Sequence, residues 1–378
     1  MRNTLVSTVG TSLLGNIRGR YNPDLGVKEE QQQVLQKHLA NRDFGQLARE
    51  FTRIDPSARI CGAEINSITE AVKRSKVQLE NISFLVSDTD DGKFVGQFLE
   101  AYLIERGIEG LRTVTYTPIE DLQDDKPARF KTYGLRNLVR ELGKLVNKHS
   151  AQQIVIDATG GYKAQIAVAV VFGQALEIPV LYRHERFSEI IEFPPMPITF
   201  QYDLIGKNSD LLTVFERGDA LTLSELEEVD DKLRVFLEEV EVEGETLFEL
   251  GSVGQIILTG FRLRFPRAKE LQPVLPSQKS IPSFREDNFP IGFKDFVLKM
   301  CEDVAWIKTA HSLPYSGQKA IQGKLRNGAG FYVREGKLIG SYQDSNNFGA
   351  RFEILTDATG EDQLTWAADQ LNQKYLRG

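Results

Sequence analysis

The chain has 378 residues, too many for one compact core, so two or three domains are expected. Hydrophobic residues at 41% and charged residues at 26% are ordinary for a soluble globular protein, and no apolar run reaches the roughly 18–20 residues of a membrane span. A net charge of −7 gives no global case for nucleic-acid binding. Cys61 and Cys301 lie far apart with neither metal nor disulfide spacing, and read as small buried hydrophobes of a cytoplasmic protein.

The opening "MRNTLVSTVGTSLLGN" is a poor signal peptide and a good first strand, "TLVSTVG". Helices follow in "EEQQQVLQKHLA" and "EINSITEAVKRS", then a strand in "ISFLVSD", a helix in "FVGQFLEAYLIERG" and a strand in "RTVTYT". "YGLRNLVRELGKLVNKH" is a helix, "QQIVIDATG" a strand, "KAQIAVAVVFGQALE" a helix and "PVLYRH" a strand. Strands separated by helices imply parallel βαβ crossovers and a Rossmann-like α/β sheet over residues 1–200.

"EFPPMPITFQY" reads as a domain boundary. Beyond it, Ser224 and Glu227 make a capping-box pair opening a helix whose apolar face is Leu226, Val229, Leu233, Phe236 and Val240. "EVEVEGETLFEL" then reads as a hairpin turning at Glu243-Gly244, and "SVGQIILTGFRLRF" as a helix. This order implies a winged-helix linker over 201–280. Residues 216–249 hold 13 acids against 3 bases, which repels DNA phosphate and favours a structural or dimerising wing. A second boundary, "PVLPSQKSIPS", leads to an α+β unit, 281–378. It holds a helix in "FKDFVLKMCEDVAW", a meander of "GFYVREG", "KLIGSYQ" and "ARFEILTD" with a turn at Glu335-Gly336, and a closing helix.

Open α/β sheets bind ligands at the carboxyl ends of their strands. Three loops there are unusual: Gly10-Thr11-Ser12 running on to Gly15-Asn16, Thr89-Asp90-Asp91-Gly92-Lys93 after Asp88, and Thr159-Gly160-Gly161-Tyr162-Lys163. Glycines let backbone N–H groups approach an anion, helix N-termini favour anionic oxygen, and hydroxyls and lysine complete a phosphate cradle. Neither dinucleotide-binding nor P-loop spacing is met, so the expected ligand bears phosphate without being ordinary NAD or ATP.

"STVGTSLLGN" at 7–16, "GAEINSI" at 62–68 and "DATGGYK" at 157–163 resemble the CARF domain, the Rossmann-like sensor of CRISPR-associated effectors, over about residues 1–200. The resemblance implies a homodimer that binds cyclic oligoadenylate, with cyclic tetraadenylate the suited ring, across its two-fold axis. By position, Gly10, Thr11, Ser12, Asn16, Asp88, Thr159, Gly160, Gly161 and Lys163 would line that site. Some members cleave their ligand with a serine and a lysine placed like Ser12 and Lys163, where lysine stabilises phosphate charge and serine orients the attacking 2′-OH. Binding alone explains both residues equally.

In the last unit His311 lacks the arginine spacing of a HEPN nuclease, and Glu335 and Lys337 are poor material for a metal-dependent one, so no metal or other cofactor is expected. From Val304 to Phe352 there are seven Lys/Arg against two acids, with Tyr332 and Tyr342 among them. Cations on a sheet suit a phosphodiester and its pentacoordinate transition state. "GKLRNGAGFYVREGKLIGSY" and "GARFEILTD" resemble the RelE family of ribosome-dependent mRNA interferases. That resemblance implies Lys and Arg on the central strands around the scissile phosphate. The candidates in this chain are Arg334, Lys337 and Arg351 for phosphate and transition state, Lys324 and Arg326 in support, and Tyr342 as acid/base or stacking platform. The combination resembles a CARF–RelE fusion, activated by cyclic tetraadenylate to cut mRNA in the ribosomal A site. Its partners would be mRNA and the ribosome, the ribosomal stalk included, with neither membrane nor specific DNA. The alternatives are a ring nuclease or a winged-helix transcription regulator.

Overall fold

The computed structural model describes residues 1–184, 189–198, 200, 202–226, 231–264, 270–285, 288–314, 328–346 and 348–376. The chain forms two compact units, Met1–Thr199 and Phe200–Gly378, divided inside the proline-rich stretch 192–202.

In the first unit the apolar runs become β1 (Thr4–Thr8), β2 (Asn81–Ser87), β3 (Thr113–Ile119), β4 (Ile154–Asp157), β5 (Val180–Arg183) and β6 (Ile190–Phe193). They form one sheet in the order β3-β2-β1-β4-β5-β6, with β1 to β5 parallel and β6 antiparallel to β5. The helices are α1 (Ser12–Arg18), α2 (Glu29–Ala40), α3 (Phe44–Thr52), α4 (Gly62–Lys73), α5 (Asp90–Arg106), α6 (Pro127–Arg129), α7 (Leu135–His149) and α8 (Lys163–Leu176). Leu5, Phe84, Val155 and Leu181 meet α1 to α5 in one core. The alternate residues Val6, Ile154, Ile156 and Val180 are also buried, and a strand's period of two sends them to the other face of the sheet. This mixed sheet flanked by helices is the expected Rossmann-like architecture. Its strand order reverses between β1 and β4, the switch point where such sheets open a crevice.

The second unit begins with α9 (Asp203–Lys207) and α10 (Ser209–Glu216), then β7 (Leu221–Thr222), α11 (Asp231–Arg234), β8 (Leu237–Val242), β9 (Glu245–Leu250) and α12 (Ser252–Arg264). The helix expected from Leu226 to Val240 breaks up, with Glu227 and Val229 outside the described residues. Leu226, Leu233 and Phe236 are buried as an apolar face requires, but Val240 pairs across a hairpin with Leu247. Glu243 and Gly244, with φ of 52° and 85°, form its two-residue turn, the geometry that matches strand twist. Cross-strand pairing therefore outweighs helical periodicity here.

Next come α13 (Phe293–Asp303), β10 (Thr309–Ser312), β11 (Gly328–Arg334), β12 (Lys337–Gln343), β13 (Gly349–Leu355) and α14 (Glu361–Tyr375). The strands form an antiparallel sheet in the order β10-β13-β12-β11, and the Arg334–Lys337 turn again has positive φ at Glu335 and Gly336. Residues 201–280 share this compact unit with the sheet. A Cβ on Gly206 of α9 would come within 2.2 Å of Thr365 Oγ1 on α14, and Arg262 of α12 bonds Asp369 of α14 and Glu216 of α10. Asn372 of α14 accepts from the Phe331 N–H (2.9 Å) and donates to its carbonyl (2.6 Å), so a side-chain amide satisfies edge strand β11 as a neighbouring strand would. The "PVLPSQKSIPS" stretch is tied down in the same way, Val274 donating to Ala305 and Ser280 to Lys308. Both cysteines are free and buried. No helix among the described residues is long and apolar enough to cross a membrane.

Candidate functional site

In the first unit Ser7 of β1 lies in register with Asp157 of β4, so the loops leaving these two strands start side by side at the switch point. They touch backbone to backbone. The Thr8 hydroxyl donates to the Gly160 carbonyl at 2.6 Å, and a Cβ on Gly10 would stand 2.9 Å from the Gly161 nitrogen. Between the loops sits Glu64 of α4, 1% exposed, whose Oε1 accepts the Gly10 N–H at 2.7 Å. A Cβ on Gly160 would fall 2.1 Å from that oxygen and 2.8 Å from the Thr8 carbonyl, so only glycine fits. These glycines therefore weld the two loops around a buried carboxylate. Gly10 spends its N–H inward, where the sequence pointed it at a ligand.

A second buried carboxylate, Asp157, ends β4. Asp157 accepts from Ser67 (2.9 Å), Ser7 (3.4 Å) and both the hydroxyl (2.5 Å) and N–H (3.2 Å) of Thr159. Burial pushes Asp157 up to about 6, against the pull of those hydrogen bonds. Burial likewise pushes Glu64 up to about 7, opposed by the Gly10 N–H and reinforced by the neighbouring Asp157 charge.

The residues expected to line a ligand separate accordingly. Thr159 is engaged inside the protein, its hydroxyl also meeting Ser67 and accepting the Arg183 N–H at 3.0 Å. Asn16 and Gly15, expected in a loop, belong to α1, and Asn16 Nδ2 donates to the Arg59 carbonyl at 2.9 Å. Asp88 pairs with Lys93 at 2.8 Å beyond β2. Thr11, Ser12 and Lys163 are exposed, with Gly10 and Gly161 half-buried between them. Lys163 opens the 14-residue α8, whose N-terminal amides and dipole favour an anion. Thr11, Ser12, Gly161 and Lys163 thus offer hydroxyls, a backbone and a cation on two abutting loops. Glu64, Ser67 and Asp157, which hold those loops in place, were not among the expected site residues.

In the second unit, β-strand alternation sorts the expected catalytic residues. Arg334 is opposite Lys337, and Arg351 opposite Ser341, which places all three cations on one face. Tyr342 is on the other face, packed against Phe293 and Phe296 and donating to the Ile291 carbonyl at 3.0 Å. Tyr332 shares the cationic face instead. Burial and the Asp210 charge push its phenol up, against the pull of Arg351 and Arg334. Lys337 pairs with Glu353 at 3.0 Å and Lys308 with Asp357, acids lying just past the basic stretch 304–352. Lys324 and Arg326 lie outside the described residues. Among the described residues no cluster of three His, Cys, Asp or Glu is arranged to hold a metal ion.

Residues 59–196, from just before α4 to just beyond β6, match the family model described as CRISPR-associated protein (Cas_APE2256), and the first unit is similar to that CRISPR-associated family. No curated protein matches the chain.

Proposed function

We propose that the first unit senses a cyclic oligoadenylate, cyclic tetraadenylate by preference, in a homodimer, and that the ligand activates the second unit as a metal-independent endoribonuclease. The observation that carries this reading is the welded pair of loops at the switch point, with Ser12 and Lys163 exposed at the first residues of α1 and α8, the helices that follow the adjacent strands β1 and β4. Fixed backbone, hydroxyls and a lysine at a helix N-terminus suit bridging phosphates. The likeness of residues 59–196 to a CRISPR-associated family supports a defence role.

For the second unit, the shared face of Arg334, Lys337, Arg351 and Tyr332 supports RNA cleavage by the substrate's own 2′-OH. That oxygen attacks the adjacent phosphorus, the 5′-oxygen leaves with a proton, and a 2′,3′-cyclic phosphate remains. Arginines would stabilise the extra charge of the pentacoordinate state. The RelE-like reading adds the ribosome as the place where mRNA is presented. A translation extract with and without cyclic tetraadenylate tests both halves. Ligand-dependent mRNA cuts in the ribosomal A site, abolished by Arg351→Ala, are expected; cutting without ligand, or none with it, contradicts the proposal. Ring cleavage by the first unit, the second reading of Ser12 and Lys163, would consume cyclic tetraadenylate even in the Arg351→Ala protein.

A further inference from the structure

The segment joining β3 to α7, residues 120–134, is held in an unusual shape. Asp121 has a φ of 61°, in the left-handed region, and its carboxylate takes Arg129 bidentately at 2.6 and 2.8 Å. A Cβ on Gly134 would lie 2.5 Å from the Asp121 carbonyl oxygen, so the segment closes on a position only glycine can fill. Between these clamps, Phe130–Gly134 form a π-helical turn, a rare geometry that is frequent at functional sites.

The turn delivers the ring of Phe130 edge-on to the ring of Tyr162, with centroids 5.2 Å apart and planes at 81°. Tyr162 stands between Gly161 and Lys163, so the aromatic pair adjoins the proposed phosphate-binding loop. Both residues are only half-buried. Burial raises the Tyr162 phenol, and the neighbouring charges of Asp124 and Asp125 act in the same direction. Of the cations in the segment, Arg129 is paired with Asp121. The segment also carries Lys126 and Lys131, so its charges are mixed, and what sets this wall apart is its pair of aromatic rings with the Asp124 and Asp125 carboxylates beside them. It suits a flat, uncharged ring bearing an amino group, which can stack on phenyl and donate to carboxylate.

We propose that Phe130 and Tyr162 form the base-binding wall of the ligand site, with Phe130 as the stacking surface for an adenine-like base whose phosphates lie on the Gly161–Lys163 loop. This rests on the first unit being a nucleotide sensor. The test uses the full chain, titrated with cyclic tetraadenylate. Phe130→Ala is expected to weaken binding about tenfold or more, and Phe130→Trp to stay within about threefold of the parent, as for loss and retention of one base–aromatic stack. Should Phe130→Ala fail to fold, Phe130→Trp decides alone: its added tryptophan emission is expected to be quenched by the ligand. Parent-like affinity in Phe130→Ala, or an unquenched Phe130→Trp protein that still binds, overturns the base wall and leaves the sensor standing. A parent protein that binds no cyclic tetraadenylate overturns both.

Discussion

The two units solve the problem of presenting charge to phosphate in opposite ways. In the first, the loops are shaped from below by carboxylates and hydroxyls shut away from water, and few groups reach the surface: Ser12, Thr11, Lys163. In the second, the cations stand on strand positions in or near solvent and are partly matched by acids such as Glu353. Packing fixes a geometry to fractions of an ångström, because a buried polar group without its partner is costly. Exposed ion pairs contribute little to stability and are easily exchanged for a substrate phosphate. The first arrangement suits recognition of one ligand shape; the second suits a polymer whose only constant feature is its backbone.

Substitutions that break the comparison should fall in a definite order. Gly160→Ala places a carbon 2.1 Å from Glu64 Oε1 and against the Thr8 carbonyl, with neither free to yield. About 3 kcal/mol of destabilisation, typical of severe overpacking, is expected in a denaturation curve, together with loss of ligand binding. Arg262→Ala in the second unit takes the cation away from Asp369, 2% exposed, and leaves the neutral Gln373 amide to donate to a buried carboxylate, at a similar expected cost of about 3 kcal/mol. That result would show the second unit keeping its own buried polar anchor on α12 and α14, separate from its basic face.

Glu64→Gln gives a smaller, pH-dependent effect. Glu64 and Asp157 have folded values of about 7 and 6, above those of free carboxyls, so between pH 4.5 and 7 the folded protein holds protons that the unfolded chain releases. Their contribution to stability is greatest below that window and is lost as pH rises through it. Gln keeps the acceptor for the Gly10 N–H without the buried charge, so the variant is expected to be more stable than the parent at pH 8, by on the order of 1–3 kcal/mol. The gain should vanish near pH 4.5 in paired thermal melts; a gain independent of pH would sink the assignment. Smallest of all, Lys337→Ala removes an exposed pair with Glu353 and is expected to change stability by less than about 0.5 kcal/mol.

The parallel core was legible because β1, β2 and β4 are apolar runs flanked by long amphipathic helices. The short β6 was not, since four residues carry too little pattern, and Gly15 concealed α1. The candidate ligand site was legible as glycine-rich loops, yet the reason for the glycines was not. Glu64 lies on the same helical stripe as Ile68 and Ala71, so an acid on a buried face was visible in the sequence, but its partner Gly10 is 54 residues away. Thr159 looked available although Asp157, two residues before it, holds its hydroxyl and N–H, and Ser67 and Arg183, its other partners, are remote in the chain. In the second unit a count of charges along 304–352 stopped one residue short of Glu353. Strand alternation alone separates Tyr342 from Lys337, which lie five residues apart on β12.

The loops at the switch point are tested most directly by calorimetric titration of the intact protein with cyclic tetraadenylate, for the parent and for Lys163→Ala. Saturable binding of one ring per two chains is expected, weakened at least about tenfold by loss of one charge-assisted phosphate contact, with the melting temperature of Lys163→Ala unchanged. Equal affinity in the two proteins, or no binding in the parent, would contradict the assignment of these loops as the sensor.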